Sequence, residues 1–248
     1  MPSAYVVVPV FNERENIQRV LEDVTTFSRT LDGICDRTTT LVVDDGSTDG
    51  TSELLGALEG DGRVVLRHPH NSGPGAAFRT AFQYLLDHGL ADDDVVVTIE
   101  GDATSHPDVM RLMLGRLTEG NDLVLASPYL HGGGFSKVTR DRLFISHVAN
   151  GLVRLFLGIR GLATFSCFYR AYRGRVIWTL YAKYGDRMIE SNGFECAVEL
   201  LAKAVRCDMA ITEVPFRVDW ARRKGRSKMR LWPTTLGYLG LFWRLGRQ

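Results

Sequence analysis

Three short apolar runs that each end in polar side chains constrain the fold of this chain most strongly. They span residues 5–10, 40–43 and 95–99, and β-branched residues are frequent in them. Near-continuous runs of this kind are typical of strands in a parallel sheet that is covered on both faces. Segments with helical spacing of apolar residues follow the strands, so the sequence predicts an α/β fold with ligands bound beyond the carboxyl ends of the strands.

Acidic residues follow each of these runs. Glu100 and Asp102 flank Gly101 directly after the third run, Asp44 follows the second, and Glu13 lies just beyond the first. For an isolated acidic pair, a turn is the commoner explanation, because Asp and Gly are frequent turn residues. Three such strand ends at one edge of a sheet instead favour a site for a divalent cation or for sugar hydroxyls.

Further predicted elements continue the alternation. No repeat or clear linker interrupts the chain, so we expect one domain over residues 1–230 and an aromatic and basic tail over 231–248. The remaining predicted strands are 64–67, 123–127, 163–172 and 210–218, and the predicted helices are 14–27, 76–86, 142–157 and 191–204.

Composition and charge narrow the classes of partner. The 248 residues are 45% hydrophobic and carry a formal net charge of +1, which gives no general attraction to nucleic acid. Four widely spaced cysteines form no CxxC pair, so zinc and redox motifs are unsupported. A local basic cluster predicts an anionic ligand or surface; it comprises Arg217, Arg222, Arg223, Lys224, Arg226, Lys228 and Arg230.

The ends of the chain bear on its location. The N-terminus enters a predicted strand without a basic and apolar leader, so we expect a cytoplasmic protein. The apolar stretch 231–245 contains Pro233 and Arg244 and is shorter than the roughly 20 residues of a membrane span. Its aromatic residues suit either an interfacial helix, which would make the protein peripheral at the cytoplasmic membrane face, or a helix packed on the core.

Eight sequence motifs carry a resemblance to a known family. In chain order they read VVVPVFNERENI, LVVDDGSTDGT, HNSGPGAAFRTAF, EGD, SPYLHGGG, GFECAVELLAKA, EVPFRV and RRKGRSKM. Over nearly its whole length the chain resembles the family 2 glycosyltransferases of the GT-A fold, and within them the dolichyl- and polyprenyl-phosphate sugar synthases. The resemblance implies a Rossmann-like nucleotide-sugar-binding fold with a mostly parallel central sheet flanked by helices.

The resemblance also implies a donor site at the carboxyl edge of the sheet. The nucleotide would lie near the ends of the first two strands, and Mg²⁺ or Mn²⁺ would bridge the diphosphate near the third. For Glu13 alone, a carboxylate favoured at a helix N-terminus is the simpler explanation, and only its place in the motif favours binding. The implied donor-site residues are Pro9, Phe11, Glu13, Asp44, Asp45, Ser47, Glu100, Gly101 and Asp102.

The family's metal motif, Asp-x-Asp, reads Glu100-Gly101-Asp102 here. Asp102 is therefore the expected metal ligand. Glutamate can also bind a hard cation, but its longer side chain moves the carboxylate, and Mg²⁺ requires near-ideal octahedral geometry. Glu100 is accordingly expected either to bind the metal or to contact ribose or act through water.

Basic residues are implied on the acceptor side. The RRKGRSKM motif is similar to the family element Arg-x-x-Gly-x-Ser-Lys, which places Arg222, Ser227 and Lys228 near the phosphates. A solvated basic loop is the simpler explanation of such a charge run. Arginines hold the lipid phosphate in the related enzymes, and arginine suits this task through bidentate contacts. The candidates by position are Arg140, Arg142 and Arg170.

Three functions stay open at this point. The resemblance favours inverting transfer of a sugar, with mannose favoured, from a nucleotide sugar to polyprenyl phosphate, a nucleophile that needs no strong general base. The family element Asp-x-Thr-Ser-Gly-Phe-Arg, however, reads TFSCFYR over residues 164–170. The alternatives are therefore transfer to a glycan or small-molecule hydroxyl, and nucleotide-sugar binding without catalysis.

Overall fold

A seven-stranded sheet organises the protein in the computed structural model, which describes residues 1–31, 35–137, 150–151, 153–155, 158–225 and 231–246, with backbone alone for 231–236. The strands in chain order are β1 (Ala4–Val10), β2 (Thr38–Asp44), β3 (Arg63–Arg67), β4 (Val95–Thr98), β5 (Leu123–Ser127), β6 (Gly134–Ser136), β7 (Arg170–Arg173), β8 (Ile211–Pro215) and β9 (Arg217–Asp219). The helices are α1 (Ile17–Ser28), α2 (Thr51–Ala57), α3 (Pro74–Asp87), α4 (Val109–Thr118), α5 (Gly174–Tyr184), α6 (Cys196–Val205) and α7 (Leu231–Leu245).

The sheet order is β3-β2-β1-β4-β7-β5-β8, and only β7 runs antiparallel to its neighbours. Strands β1, β2, β3 and β4 are parallel, and Val10 of β1 is level with Asp44 of β2. On the other side of β1, Val7 pairs with Thr98 at the end of β4. The residues that follow these strands therefore meet at one edge of the sheet, which brings the acidic strand ends together.

Apolar side chains cover both faces of the sheet, as the near-continuous strand runs predicted. Val7 points to a cluster shared with α3, α5 and α6, whereas Val6 and Val8 point to a cluster shared with α1 and α4. Alternate residues of one strand thus serve two cores. This arrangement confirms the predicted α/β fold with a mostly parallel sheet.

Several predicted elements match the structure closely. The strand predicted at 123–127 is β5, the strand predicted at 64–67 is β3 with one further residue, and the helix predicted at 76–86 is α3. The helix predicted at 14–27 begins at Ile17. The helix predicted at 142–157 falls largely outside the described residues.

Three predicted elements differ in extent from the observed ones, because side chains or a second sheet form hydrogen bonds with their backbone. The strand predicted at 163–172 is regular only over β7, since the carboxylate of Glu213 accepts the N–H groups of Ala163 and Thr164 at 2.7 and 2.8 Å. The strand predicted at 210–218 divides at Phe216 into β8 and β9, which belong to different sheets. The helix predicted at 191–204 begins at Cys196, because Glu199 captures the N–H of Ser191.

The C-terminal helix α7 has a packed and an exposed face. Leu241 and Leu245 are buried in the core cluster that contains α3, while Leu239 and Trp243 are 58% and 61% exposed. Pro233 lies in the first turn, where its missing N–H breaks no intrahelical hydrogen bond. Across the described ranges, none of the helices is both long and apolar enough to span a membrane.

Candidate active site

The loops after β1 and β2 hold each other in place at the carboxyl edge. Asn12 has a left-handed backbone, with φ at 55°, and its N–H donates to Oγ of Ser47 at 2.9 Å. Its side-chain Oδ1 in turn accepts the N–H of Thr48 at 2.7 Å. Ser47, predicted to lie near the nucleotide, therefore links the two strand ends that would surround that ligand.

The two carboxylates after β2 shape neighbouring loops. Asp44 accepts the N–H of Ser47 at 3.0 Å and also the hydroxyl of Ser52. Asp45 accepts the N–H groups of Ser72 and Gly73 at 2.9 and 2.7 Å, and Nδ1 of His68 lies 2.7 Å from it. Both carboxylates are buried. Their hydrogen bonds fix the loops that follow β2 and β3 at the carboxyl edge of the sheet.

The strand end that follows β4 carries the two carboxylates of the predicted metal motif. Asp102 Oδ1 accepts the N–H of Thr104 at 3.0 Å and its hydroxyl at 2.6 Å, in a turn where Ala103 has φ at 63°. Gly101 fits closely beneath β1, because a Cβ atom there would lie 3.0 Å from the carbonyl oxygen of Pro9. Close packing against β1 thus favours glycine between the two acids.

Glu100 differs from Asp102 in its electrostatics. Burial of its carboxyl group raises the pKa of Glu100 to about 7, and the negative charge of Asp102 contributes in the same direction. Its Oε2 accepts the hydroxyl of Ser105 at 2.8 Å, which opposes the shift. Near neutral pH the Glu100 carboxyl group is therefore partly protonated.

A basic loop, residues 219–225, lies over this edge of the sheet. Its Arg223 donates through Nη1 to Asp102 and through Nη2 to Oε1 of Glu13, the latter at 3.0 Å. The side chains of Arg223, Glu13 and Asp102 are only 7%, 8% and 16% exposed. One guanidinium thus joins the predicted metal ligand to a predicted nucleotide ligand.

Arg223 was not among the predicted site residues. The family element selects Arg222 by its spacing from glycine, serine and lysine, and nothing in the local sequence separates the functions of the two adjacent arginines. The available sequence signal was that two arginines stand next to each other. Only the tertiary contacts show that the second arginine meets the carboxylates.

The basic loop is also anchored to α1 by contacts that do not involve Arg223. Arg222 donates to the carbonyl of Ala103 at 3.2 Å and pairs with Asp23 on α1. Asn16 donates to the carbonyl of Lys224 at 2.9 Å and accepts its N–H at 2.8 Å. The loop therefore has its own attachment at the start of α1.

Of the acceptor residues predicted from the resemblance, Arg140, Arg142, Ser227 and Lys228 lie outside the described residues. Arg170 is described and is 1% exposed. Its guanidinium donates to the carbonyls of Phe165, Cys167 and Ala197, each at 2.7 Å. This enclosed position gives Arg170 a structural role and does not suit the predicted contact with a lipid phosphate.

The donor set at the end of β4 fits a hard divalent cation that shares its ligands with a substrate. In the parts of the chain that the structure describes, no group of three or more His, Cys, Asp or Glu side chains forms a metal cage. Mg²⁺ commonly binds through one or two carboxylates together with substrate phosphates. Asp102, with Glu100 beside it, suits that mode of binding.

Solved structures share the fold of this chain. The chain is similar to a glucosyl-3-phosphoglycerate synthase from Mycobacterium tuberculosis in complex with UDP, with a TM-score of 0.65 and 20% identity over 99% of this chain and 80% of that one. It is also similar to a mannosyltransferase from Pyrobaculum calidifontis in complex with GDP-Man and Mn²⁺, with a TM-score of 0.60 and 17% identity over 99% and 64% of the two chains. The fold is that of the GT-A glycosyltransferases.

Sequence comparison specifies the family. The profile of glycosyl transferase family 2 matches residues 5–181. The chain is 32% identical over 227 residues to the polyprenol monophosphomannose synthase of Mycolicibacterium smegmatis, over 90% of this chain and 80% of that protein. It is 31% identical over 225 residues to the undecaprenyl-phosphate mannosyltransferase of Micrococcus luteus, over 90% and 86%. The chain belongs to glycosyl transferase family 2, as its motifs predicted.

Proposed function

We propose that this glycosyltransferase moves a sugar, with mannose favoured, from a nucleotide sugar to a polyprenyl phosphate. The carrying observation is the convergence of Glu13 and Asp102 from two strand ends beneath the basic loop, residues 219–225. This arrangement supports the proposal, because carboxylates suited to a nucleotide and a cation lie next to a cationic group suited to phosphates. The names of the two relatives refer to polyprenol monophosphomannose and to undecaprenyl phosphate, and each relative aligns with 90% of this chain. Both names support a polyprenyl phosphate as the acceptor.

The donor would lie across the ends of β1, β2 and β4. Glu13 is suited to accept hydrogen bonds from the base or the ribose, while the hydrogen bond between Asn12 and Ser47 fixes the loops after β1 and β2 relative to each other. Mg²⁺ or Mn²⁺ held through Asp102, with Glu100 beside it, would neutralise charge on the diphosphate leaving group. The chain's own contribution is to orient the sugar and to exclude water.

The chemical step we infer is a single displacement at the anomeric carbon. A phosphate oxygen of the acceptor forms the new carbon–oxygen bond, while the bond to the nucleoside diphosphate breaks and its electron pair leaves with that group. The acceptor phosphate is already ionised near neutral pH, so no strong general base is required. Arg222 and Lys228 are proposed to stabilise the negative charge on the phosphates through charge-assisted hydrogen bonds.

A lipid acceptor requires access to a membrane surface. The exposed Leu239 and Trp243 on α7 suit contact at headgroup level, because tryptophan combines a large apolar ring with a polar N–H. Arg244 on the same helix is directed inward, since its Nη2 donates to the hydroxyl of the buried Ser191 at 2.5 Å, so the exposed apolar side chains carry this surface. We propose peripheral binding of this face at the cytoplasmic side of the membrane.

The test is transfer of radiolabel from GDP-mannose in the presence of polyprenyl phosphate and Mn²⁺. Label that enters the organic phase, and fails to do so with Asp102→Asn, supports the proposal. Label that appears only in a water-soluble glycoside would favour a hydroxyl acceptor. A protein that is stabilised against heating by nucleotide sugars but transfers no label to either acceptor would be a binding protein without catalysis.

A further inference from the structure

Arg223 contacts both acidic groups that the donor complex would use. Its two terminal nitrogens each bind a different carboxylate, Asp102 at the end of β4 and Glu13 after β1. The Trp220 ring, whose centroid lies 6.0 Å from the guanidinium carbon, packs on the same side chain. Because the guanidinium is positively charged and lies between two nearly buried carboxylates, it neutralises them as a bound metal ion would.

This contact cannot persist unchanged in the proposed donor complex. The oxygen of Asp102 that accepts from Arg223 is the one not committed to Thr104, and it is the oxygen that a divalent cation would need. A cation at that oxygen would also lie against the positive guanidinium. Cation binding and the Arg223 contact therefore oppose each other, because two positive charges would share one carboxylate oxygen.

The basic loop can lose the Arg223 contact and keep its attachment to α1. Arg222 pairs with Asp23, and the two backbone hydrogen bonds of Lys224 to Asn16 do not use the Arg223 side chain. Asn16 Nδ2 also donates to Oε2 of Glu13 at 2.7 Å, so Glu13 keeps a hydrogen bond when Arg223 leaves. The side chain alone can leave the carboxylates. The described loop ends at Gly225, whose φ of 79° favours glycine.

We propose that Arg223 is an internal cation that competes with the divalent metal for Asp102 and with the donor for Glu13. The inference rests on the proposed donor and metal site. In the free protein Arg223 neutralises the two acids and keeps them hydrogen-bonded. When metal and nucleotide bind, they displace Arg223 from both acids, and its guanidinium becomes available to the phosphates that have entered beneath the loop.

The proposal makes a prediction opposite in sign to that for an ordinary ligand residue. If Arg223 occupies Asp102 about nine-tenths of the time, removing its charge should strengthen metal binding by roughly tenfold, because the metal no longer has to displace it. Removal of a residue that holds the diphosphate would weaken nucleotide binding and leave the affinity for metal alone unchanged. The two functions are therefore distinguishable by the direction of the effect.

The experiment is a titration with Mn²⁺ alone, in which free Mn²⁺ is followed by electron paramagnetic resonance. Arg223→Met removes the charge and retains an unbranched chain, and Arg222→Met is the matched control in the same loop. We expect about tenfold tighter Mn²⁺ binding for Arg223→Met and less than twofold change for Arg222→Met. A parallel titration with GDP at saturating Mn²⁺ measures the nucleotide affinity of each variant.

Unchanged or weaker Mn²⁺ binding by Arg223→Met would overturn the proposal, as would failure of every variant to bind Mn²⁺. Weaker GDP binding at unchanged Mn²⁺ affinity would make Arg223 a diphosphate ligand instead. Should Arg223→Met fail to fold, Arg223→Lys provides a second variant. Its single ammonium group is not suited to contact both carboxylates at once, so we expect a smaller gain in Mn²⁺ affinity. The titration needs neither sugar nor lipid, so its outcome is separate from that of the transfer assay.

Discussion

Two nearly buried ionic networks in this protein have similar exposure but different architecture. On α6, Lys203 and Glu199 are 0% and 1% exposed and their charged atoms are 2.7 Å apart. Lys203 also donates to the carbonyl of Arg187 at 2.5 Å, and Glu199 accepts the N–H of Ser191 at 2.8 Å. Lys203 also lies 3.2 Å from a carboxylate oxygen of Glu190. At the sheet edge one arginine, Arg223, is likewise shared between two acids.

The difference lies in how the partners are brought together. Lys203 and Glu199 are one turn apart on one helix, and the adjoining loop supplies the remaining hydrogen bonds, so the network can form only one way. Glu13, Asp102 and Arg223 come from three loops far apart in sequence. We expect the network centred on one helical turn to stabilise the fold, and the network assembled from loops at the sheet edge to exchange its cation for a ligand. Burial alone does not separate structural from functional ion pairs.

The largest expected effect breaks the network on α6. Lys203→Met should lower the free energy of unfolding by about 3–5 kcal/mol, because it leaves the Glu199 carboxylate buried without its cation. Urea denaturation measures the loss. The double variant Glu199→Leu/Lys203→Met removes both charges and should recover most of it. A double variant as unstable as the single one would show that packing, and not charge, sets the cost.

The next effect tests the network at the sheet edge. Asp102→Asn should lower kcat by on the order of 10²- to 10³-fold, since the transition state loses a main source of charge stabilisation. Thermal unfolding should change little, because the turn to Thr104 can keep its hydrogen bonds to the amide oxygen. The matched control is Asp23→Asn on α1. Normal turnover by Asp102→Asn, or a large fall in its Tm, would show that this network has a structural role like the network on α6.

A smaller effect is expected from the basic residues of the acceptor side. Arg222→Ala and Lys228→Ala should each lower kcat/KM by about tenfold, roughly 1.4 kcal/mol, because each would remove one of the proposed charged contacts to phosphate. Steady-state kinetics with varied polyprenyl phosphate measures the effect. Kinetics equal to wild type for both variants would leave this segment as a solvated basic loop.

The smallest effect is a pH dependence of stability. Burial opposes ionisation of Glu199, but the hydrogen bond and charge of Lys203 outweigh it and lower the pKa of Glu199 below its ordinary value of 4.5. The stabilisation from this carboxylate is therefore present above pH 4.5 and is lost as the pH falls through the lower folded-state pKa. Tm measured from pH 3 to 7 should fall less steeply at the acid end for Glu199→Gln than for wild type. Parallel curves would contradict this assignment.

Local patterns were sufficient for much of the fold. Strands β1, β2 and β4 are buried on both faces of the sheet. Their continuous β-branched residues indicated this burial in the sequence. Patterns failed where a distant carboxylate captured backbone groups, as Glu213 does at Ala163 and Thr164. They failed also at Phe216, where one apolar run serves two sheets.

The sequence by itself determined the fold class, the acidic strand ends and the family, because strand periodicity and motif spacing are local properties of the chain. Tertiary structure alone decided that Arg170 is enclosed by carbonyls and that Arg223, and not its neighbour Arg222, reaches Asp102 and Glu13. The physical reason is that these contacts depend on how loops far apart in sequence pack at one sheet edge. Adjacent arginines have the same chemistry, and only their direction from the backbone separates them.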